Sequence, residues 1–505
     1  MNNSGRFRGA SSRVNILLSL AFVVVSFASC SGQGRALSLQ PATAAPPVTS
    51  SAGVPVLQTS YAELVSRVSP AVVTIRSTER ARTAQQFPFM DDPRFREFFG
   101  DRLPQMQQQP QRPVQGVGSG VIVSPDGYIL TNHHVVDGAL EIRVELTDNR
   151  SFTAKVVGSD PPSDLAVLKI DAADLPTLSF SDSDKVRVGD PVLALGNPMG
   201  IGQTVTSGIV SAKGRSTGLS DGSFEDFLQT DAAINRGNSG GALVNTTGEL
   251  IGINSQILSP SGGNIGIGFA IPSNMAKAVM DQLLKSGKVS RGMLGVTIQS
   301  VDADLASSLN LPAARGAIVT SVTAGGPAER AGIKRGDVVT AINNQPVIDS
   351  NSLRNQVAGM KPGSTATVTV ARNGRDQNLQ VALSELPSRQ RPDADDEENS
   401  SNGNGPGVNN SRFGLRLQPL TPDAASRNGL DAGDQGLLVS QVDPSGSAAS
   451  AGIKPGDLIQ EVNRQPVRTF AEFSSAIQQS GARPALVLVK RRDAVIYVTL
   501  RAATS

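Results

Sequence analysis

The sequence has only one cysteine, no tryptophan, three tyrosines and two histidines in 505 residues. Because Cys30 has no partner in the chain, no internal disulfide can form, and the folded parts must be held by their hydrophobic cores alone. Those cores have to be built from Val, Ile, Leu and Phe. Any imidazole chemistry has to use His133 or His134, the only two histidines.

The chain also lacks an excess of charge of either sign. It has 46 Lys and Arg against 44 Asp and Glu, a formal net charge of +2, and it has no basic run with interleaved aromatic residues. A nucleic-acid-binding function is therefore disfavoured. The length predicts about three or four domains. The 51 glycines and 31 prolines favour many turns and short strands over helical bundles.

Residues 1–30 have the organisation of a secretory signal peptide. Three arginines precede an apolar stretch at 14–27, which is too short to span a bilayer comfortably. Small residues before Cys30 resemble a bacterial lipobox, in which the cysteine is lipidated, although Phe27 stands where Leu is usual. Ordinary cleavage near 42–44 is the alternative. Both alternatives predict export to the periplasm, and the first adds a lipid anchor.

The folded part is predicted to begin with a short helix and a strand at 61–75. A long break at 77–115 follows, rich in Gln and Pro but with aromatic patches at 87–89 and 95–99. A loop of this length is usually functional or disordered. We expect its aromatic half to dock on the active site or on another subunit. Between 114 and 272 short strands alternate with turns and almost no long helix intervenes, which suits two β-barrels.

A serine in a glycine-rich run is the first candidate for chemistry. Ser239 lies in the sequence Gly-Asn-Ser-Gly-Gly at 237–241. A serine hydroxyl is a weak nucleophile that needs a base beside it, and the oxygen it attacks needs backbone N–H donors. Glycines let successive amides point into one small space. For this motif alone, a turn with an exposed serine is the alternative.

The base and its carboxylate partner are expected upstream of the serine. His133 and His134 lie at the end of a strand predicted at 128–132, and a metal site is disfavoured because adjacent histidines diverge and no Cys or third His lies nearby. Asp164 opens an apolar strand, where its carboxylate could be buried against an imidazole. Asp160 precedes two prolines in a turn and is the weaker candidate. The order His, Asp, Ser is that of chymotrypsin-like double β-barrels.

Five short blocks together resemble the HtrA/Deg family of serine proteases, and they lie at 131–136, 164–168, 195–198, 235–241 and 266–272. In that family the catalytic histidine directly precedes a Val-Val pair, which selects His134 over His133. The resemblance implies a triad of His134, Asp164 and Ser239. It also implies an oxyanion hole made by the amides of Gly237 and Ser239, with Asn238 between them.

The same resemblance implies a substrate pocket and a switch. Ile234 and Ile257 would shape an apolar pocket for the substrate residue before the cut, although a plain core role explains them nearly as well. Residues 215–227, which composition alone would make a solvated loop, would belong to the activation loops. Together with Arg236 they would decide when the oxyanion amides point inward.

An internal repeat follows the catalytic blocks. Residues 331–337 return at 451–457, an offset of 120, and an acidic and Asn/Gly-rich linker separates the copies. Each copy looks like a PDZ domain, which adds a peptide as an extra strand and holds its carboxylate in backbone amides. Arg291 and Arg412 could add charge there, or be simply exposed. The expected groove residues are Leu294, Gly295, Val296, Leu353 and Val357 in the first copy, and Phe413, Gly414, Leu415, Phe473 and Ile477 in the second. Core packing explains the helical pairs almost as well.

The sequence thus predicts a mainly β protein, with a chymotrypsin-like double β-barrel protease domain followed by two α+β PDZ domains. The predicted activity is ATP-independent serine endoproteolysis, which needs no metal, nucleotide or organic cofactor. The family implies unfolded or misfolded envelope proteins as substrates, a homotrimer, larger cages and a chaperone activity. A regulatory protease, or a PDZ scaffold with secondary proteolysis, is the alternative. The expected boundaries are 1–30 signal peptide, 31–60 tether, 61–288 protease with 77–115 as a regulatory loop, 289–386 and 412–505 PDZ domains, and 387–411 linker.

Overall fold

The computed structural model describes residues 60–79, 114–197, 202–218, 223–259, 263–387, 408–410, 413–431, 433–481, 483–492 and 494–501. The predicted signal peptide, Cys30 and the predicted tether up to residue 59 therefore lie outside the described residues, as do both aromatic patches of the long break. Within the described ranges, no helix is long and apolar enough to cross a membrane.

The first barrel has six strands, which are β1 (Val72–Glu79), β2 (Val114–Ile122), β3 (Tyr128–Thr131), β4 (Ala139–Glu145), β5 (Ser151–Asp160) and β6 (Leu165–Ile170). They close in the order β1-β2-β3-β6-β5-β4. Ile75, Ile129 and Leu168 are fully buried in the apolar cluster that fills this barrel. A helix, α1 (Ala62–Val68), precedes the barrel, and one helical turn, α2 (His133–Val136), follows β3.

The second barrel repeats this plan with β7 (Pro191–Gly196), β8 (Thr204–Arg215), β9 (Phe227–Thr230), β10 (Ala242–Asn245), β11 (Leu250–Ile257) and β12 (Gly268–Pro272). The strands close in the order β10-β11-β12-β9-β8-β7. Helix α3 (Ser273–Ser286) follows and buries Ala276, Val279 and Leu283 in a cluster with residues of both barrels. Gly287, at φ 70°, ends the helix in the left-handed conformation that glycine adopts easily. The predicted double β-barrel is confirmed.

The first repeat, here the first module, contains β13 (Gly292–Met293), β14 (Val296–Ser300), α4 (Ala303–Leu309), β15 (Ala317–Val322), α5 (Pro327–Arg330), β16 (Val338–Ile342), β17 (Gln345–Pro346), α6 (Ser350–Ala358), β18 (Thr365–Arg372), β19 (Arg375–Ala382) and β20 (Ser384–Glu385). Its main sheet has the order β14-β15-β16-β18-β19, with β17 attached to β16. Strand β13 pairs with β20 in a separate ribbon. Strand β14 is therefore an edge strand of the main sheet.

The second repeat, here the second module, contains β21 (Val408–Asn410), β22 (Leu415–Pro419), α7 (Pro422–Arg427), β23 (Leu437–Val442), α8 (Ser447–Ser450), β24 (Leu458–Val462), β25 (Gln465–Pro466), α9 (Phe470–Gln478), β26 (Ala485–Arg491) and β27 (Ala494–Leu500). Its sheet has the order β21-β22-β23-β24-β26-β27, with β25 attached to β24. Residues 408–410 of the predicted 387–411 linker thus form a strand.

The repeated Gly-Asp pair has the same structural role in both modules. Asp337 is buried and receives Arg372 Nε at 2.7 Å and Nη2 at 2.6 Å. Asp457 is likewise buried and receives Arg491 Nε and Nη2 at 2.7 Å. Each two-pronged ion pair joins the turn before one strand to the neighbouring strand, which means β16 to β18 in the first module and β24 to β26 in the second. Charge-assisted bonds of this kind are the strong ones. The internal repeat therefore reflects a repeated fold.

The two modules also pack against each other. Tyr497 is buried, and its backbone N–H and C=O bond the side chain of Gln299 at 2.9 and 2.8 Å. Burial, with the nearby charge of Glu461, raises the pKa of the Tyr497 hydroxyl to about 12. The shared apolar cluster includes Val301, Leu305, Ile318, Leu486, Leu488 and Tyr497.

Two other stretches differ from the prediction. Strand β1 continues to Glu79 and pairs with β2 from Val114, so both ends of the predicted break at 77–115 belong to the barrel. Hydrogen bonds between β1 and β2 satisfy the backbone groups at both ends of the break, where the polar composition predicted a loop. The strand predicted at 128–132 ends at Thr131, and the two histidines lie on the helical turn α2 rather than at a strand end.

Candidate active site

Helix α2 brings one of the two histidines onto Asp164. Asn132 Nδ2 and the His133 N–H both donate to the Asp164 carbonyl, at 2.9 and 3.1 Å. The backbone N–H of His134 donates to Asp164 Oδ1 at 3.1 Å, and its Nδ1 lies 2.9 Å from both carboxylate oxygens. His133 instead places Nε2 3.7 Å from Asp137. The predicted pair His134 and Asp164 is therefore together, and His133 is outside it.

Asp164 is held by its backbone as well as by its partners. It follows a 3₁₀ turn at Pro161–Ser163 and has φ 53°, a left-handed conformation that aspartate tolerates better than most residues. Its carboxylate also accepts a hydrogen bond from Ser255 Oγ at 3.0 Å. Ser255 lies on β11, and sequence reasoning missed it because only the fold brings it to Asp164.

The two charged groups shift each other's pKa. Removal from water lowers the pKa of His134, but the charge and hydrogen bond of Asp164 outweigh this, so the pKa is raised above 6.5. Burial raises the pKa of Asp164, yet the His134 charge and the hydrogen bonds from His134 and Ser255 bring it below its ordinary value. The His134 side chain is 49% exposed and that of Asp164 28%. The imidazole is thus accessible from solvent while its Nδ1 side is fixed.

Ser239 lies three residues before β10 of the second barrel. Its hydroxyl donates to the Ser255 carbonyl at 2.9 Å. Among the described residues it makes no hydrogen bond to His134. Ser255 therefore contacts two of the three predicted catalytic residues, Asp164 through its hydroxyl and Ser239 through its carbonyl. Catalytic hydrogen bonds are often absent or long without substrate, so this geometry is compatible with a nucleophile at rest.

The backbone around Ser239 leaves two amides open. The N–H of Asn238 donates to Asn235 at 3.0 Å, that of Gly240 to Asn254 at 2.8 Å, and that of Gly241 to Asn238 at 2.9 Å. Within the described part of the chain, the N–H groups of Gly237 and Ser239 have no acceptor. Gly237 has φ 97°, which only glycine adopts readily. The two open amides are the ones predicted for the oxyanion hole, and Asn238 between them is buried.

A second missed residue, Ser119 on β2, holds the carbonyls of this run. Its hydroxyl donates to the Gly237 carbonyl at 2.6 Å and accepts the Asn197 N–H at 2.9 Å. Its own N–H donates to the Ser239 carbonyl at 2.8 Å. Ser119 is completely buried, and its carbonyl accepts from Thr131 Oγ1 at 2.7 Å. The first barrel therefore orients the peptide group that lies between the two open amides and the peptide group that follows them.

The predicted pocket residues belong to one apolar cluster of the second barrel. Ile234 and Ile257 are 1% and 6% exposed and share this cluster with Val210, Leu228 and Leu243. They are brought together, and their burial also fits the plain core role. Neither residue has the exposure of an open cleft wall.

The described residues of the predicted activation loop at 215–227 contact the first module through Glu225. The buried Glu225 carboxylate accepts from Ser216 Oγ at 2.8 Å and from the Thr217 N–H at 2.6 Å. The Glu225 carbonyl accepts from Asn351 Nδ2 at 2.8 Å and from Asn355 Nδ2 at 2.6 Å, both on α6. The described part of this loop is therefore not a free solvated loop, because its charge and backbone are both bonded.

Arg291 differs from both expectations for it. It is buried and pairs with both carboxylate oxygens of Asp160, with Nη1 at 2.8 Å from Oδ1. Its guanidinium also lies 4.5 Å above the ring of Phe224. Arg291 is therefore neither exposed nor free to bind a carboxylate in the first module. Asp160, the weaker candidate for the triad, is instead the acidic half of this contact.

The predicted groove residues of each module lie in or beside its apolar core. In the first module Gly295 has φ 75°, and Leu294, Leu353 and Val357 belong to the buried core. The corresponding core of the second module holds Phe413, Leu415, Phe473 and Ile477. Val296 and Gly414 are half-buried. The helical pairs are Leu353 with Val357 and Phe473 with Ile477, and core packing accounts for much of their burial, as the alternative to a groove role predicted.

Comparison with known proteins agrees with this architecture. Residues 118–253 match the trypsin-like peptidase domain, and residues 292–383 and 438–491 each match a PDZ domain. Solved structures of the HtrA-type protease AlgW are similar. The one with a decapeptide is 48% identical, covers 65% of this chain and 100% of its own, and has a TM-score of 0.52. The one with a tripeptide is 44% identical at 65% and 98% coverage, with a TM-score of 0.53.

These matches define the class, which is a trypsin-like serine peptidase with two PDZ domains. A probable periplasmic serine endoprotease, DegP-like, of Chlamydia trachomatis is 42% identical over 441 residues, 87% of this chain and 86% of that protein. The periplasmic pH-dependent serine endoprotease DegQ of Escherichia coli K12 is 41% identical over 445 residues, 88% and 91% of the two chains. The chain belongs to the DegP/DegQ (HtrA) family of periplasmic serine endoproteases. It is a periplasmic enzyme that acts on protein substrates.

Proposed function

We propose that His134, Asp164 and Ser239 are the catalytic triad of this endoprotease. His134 takes the proton of the Ser239 hydroxyl as that oxygen attacks a peptide carbonyl, and later returns it to the leaving amine. Asp164 holds the imidazole in the tautomer with the proton on Nδ1 and stabilises the imidazolium. Water then hydrolyses the acyl-enzyme. The observation that carries the proposal is the 2.9 Å contact of His134 Nδ1 with both Asp164 oxygens.

The amides of Gly237 and Ser239 form the proposed oxyanion hole, with Asn238 turned inward between them. Support comes from their two N–H groups, which have no acceptor among the described residues while the neighbouring amides do. Loss of one such donor raises the barrier by about 3–4 kcal/mol. Ile234 and Ile257 form the proposed floor of the pocket for the residue before the cut. Their position in one cluster beside this run supports that role.

A comparison of adjacent histidines tests the triad. Ser239→Ala and His134→Ala should each abolish cleavage of unfolded casein, whereas His133→Ala should keep substantial turnover. The His133 variant is the matched control because it removes the same side chain one position away, on the same helical turn. Wild-type cleavage by Ser239→Ala would exclude Ser239 as the nucleophile. Loss of activity in His133→Ala with activity retained in His134→Ala would reverse the assignment of the base.

The proposed substrates are unfolded or misfolded envelope proteins, cut without ATP or any other cofactor. The PDZ domains capture their C-termini or extended segments, through loops at Leu294–Val296 and Phe413–Leu415. Structures of the HtrA-type protease AlgW with a tripeptide and with a decapeptide support peptide binding by a protein of this family. Proteomics of cleaved products with and without heat stress tests the substrate class. Enrichment of many unrelated proteins after stress is expected, whereas a single cleaved protein would point to a regulatory protease.

Export, assembly and domain limits complete the proposal. Residues 1–30 direct secretion, and either lipidation of Cys30 or cleavage near 42–44 gives the mature N-terminus. The enzyme is a homotrimer that assembles into larger cages and also acts as a chaperone. The domains are the protease at 61–288 and the PDZ domains at 289–386 and 412–505. Mass spectrometry of the mature N-terminus tests the first point, since a free N-terminus near residue 45 would exclude lipidation. Size measurement with and without unfolded substrate tests the assembly.

A further inference from the structure

The two PDZ domains differ at the edge where a peptide would bind. In the first, β14 has β15 as its only sheet neighbour among the described residues, so its other edge is open. In the second, β22 has β23 on one side and β21 on the other. Strand β21 comes from the linker between the domains. The edge that is open in the first domain is therefore occupied in the second.

Strand β21 has the direction and position of a bound peptide. A PDZ ligand adds antiparallel to the strand that follows the carboxylate-binding loop, with its C-terminal end at that loop. Strand β21 is antiparallel to β22, pairing Val408 with Leu417 and Asn410 with Leu415. Its last residue thus lies opposite the first residue of β22, beside the loop. Backbone pairing of this kind is what gives such a ligand its affinity.

The loop itself is built the same way in both domains. In the first domain the carbonyls of Leu294 and Gly295 accept from Ala328 and Thr323, both at 2.9 Å. In the second, the carbonyls of Phe413 and Gly414 accept from Ala448 and Asp443, at 3.1 and 2.7 Å. Gly295 and Gly414 have φ 75° and 72°. The second loop is therefore formed as in the first, and the difference between the domains is the occupant.

We propose that Val408–Asn410 is an intramolecular ligand of the second PDZ domain, so that a substrate C-terminus must displace it. The inference rests on the proposed peptide-binding function of these domains. Two residues separate the segment from Phe413, so its effective concentration at the edge is far above that of a free peptide. The chain continues past Asn410, so the segment has no terminal carboxylate to offer, and a competitor with a free carboxylate has that advantage. The first domain is the open receptor.

The test uses the full chain carrying Ser239→Ala, so that the peptide is not cut. Asn409→Pro/Asn410→Pro removes two successive N–H groups, one of which must face β22 because they alternate in a strand. Gly403→Pro/Asn404→Pro is the control in the same linker. Hydrogen exchange is followed by mass spectrometry over 413–419, with 294–300 as the internal reference. The probe is a decapeptide ending in Ala-Leu-Val, with its carboxamide twin.

Without peptide, the Asn409→Pro/Asn410→Pro variant should exchange at least tenfold faster at the outward-facing amides of 415–417, with 294–300 unchanged and the control like the parent. With the free-carboxylate peptide, the parent should gain protection only at 294–300, and the variant at both segments. Unchanged exchange at 415–417 in the variant would overturn the inference, whatever the peptide does. So would equal peptide protection of both segments in the parent. Failure of the peptide to protect 294–300 in every protein would instead refute peptide binding, and the peptide-free comparison would still decide the strand pairing.

Discussion

Replacement of Ser119 by alanine should impair catalysis although Ser119 does not touch the substrate. The change deletes the donor to the Gly237 carbonyl at 2.6 Å and the acceptor of the Asn197 N–H at 2.9 Å. Both partners are in the interior, so no solvent replaces the hydroxyl. The Gly237 carbonyl carbon is bonded to the Gly237 Cα. The φ and ψ angles of Gly237 therefore couple the position of this carbonyl to the direction of the Gly237 N–H. Its release should therefore loosen one of the two oxyanion donors.

Two known free-energy costs bound the expected loss of catalytic rate in Ser119→Ala. A buried partner left without its hydrogen bond costs about 1–3 kcal/mol. Complete loss of an oxyanion donor costs about 3–4 kcal/mol. If loss of the hydrogen bond to the Gly237 carbonyl destabilises mainly the transition state, kcat should fall about 10- to 100-fold, since each ~1.4 kcal/mol is a factor of ten. The KM should change little, because the ground-state peptide does not use these amides fully.

The assay compares kcat and KM on a quenched fluorogenic peptide with the inhibition constant of a peptide aldehyde. The aldehyde forms a tetrahedral adduct that fills the oxyanion hole, so its affinity should fall in parallel with kcat. Thr131→Val is the matched control. It deletes a buried 2.7 Å hydrogen bond to the carbonyl of the same Ser119 without touching Gly237. Both variants should lower the melting temperature.

Wild-type kcat in Ser119→Ala, together with a loss of melting temperature like that of Thr131→Val, would refute this reasoning. Ser119 would then be a core residue with no influence on the hole. A rise in KM with unchanged kcat would also contradict it, because that pattern indicates a loss of uniform binding rather than of transition-state stabilisation.

Two charged groups elsewhere should give measurable effects of their own. Burial, with the nearby Asp184 charge, raises the pKa of Asp226 from 3.8 to about 6. The folded state therefore binds the Asp226 proton more tightly than the unfolded state, so its contribution to folding stability is complete below about pH 4 and is lost as pH rises to 6. Asp226→Asn should flatten the dependence of the melting temperature on pH over that range. An unchanged slope would exclude Asp226 as the source of this pH dependence. Arg291→Met leaves the buried Asp160 carboxylate without its cation and should lower stability by about 3–5 kcal/mol. Adding Asp160→Asn should restore most of it, and equal unfolding curves for wild type and Arg291→Met would contradict the pairing.

The proposed triad could be selected from the sequence because its members are chemically distinctive and few. Only two histidines exist, and Ser239 lies in a run that few other functions need. Ser119 and Ser255 carry no such mark. Their importance comes from the position of β2 and β11 beside the Ser239 run. The Ser119 hydroxyl bonds backbone groups that any sequence supplies, and the Ser255 hydroxyl reaches the Asp164 carboxylate only because the fold brings the two together. Such contacts can be seen only once the barrels are closed.

Ion pairs and strand pairings between distant parts of the chain are the other features that the sequence could not predict. Arg291 and Asp160 are 131 positions apart, and each has a plausible solvated role when taken alone. Val408–Asn410 sits in a stretch whose Gly and Asn content indicates a loop. It becomes a strand because β22 offers an unpaired edge next to it, and the backbone groups of an open edge attract any segment that can reach them. Composition describes a segment's own preference, whereas these features depend on the neighbour.

The turn at 160–164 joins two parts of the molecule that appear unrelated in the sequence. At one end Asp160 binds Arg291 at the start of the first PDZ domain, and at the other Asp164 binds His134. The Ser163 N–H donates to Asp160 Oδ2 at 3.2 Å, so the turn is internally bonded and short. Arg291→Met therefore has a second readout besides stability. If the turn transmits the loss, the acidic limb of the kcat/KM profile, which reports the raised pKa of His134, should move to lower pH. A fall in melting temperature with an unmoved limb would show that the ion pair only holds the domains together.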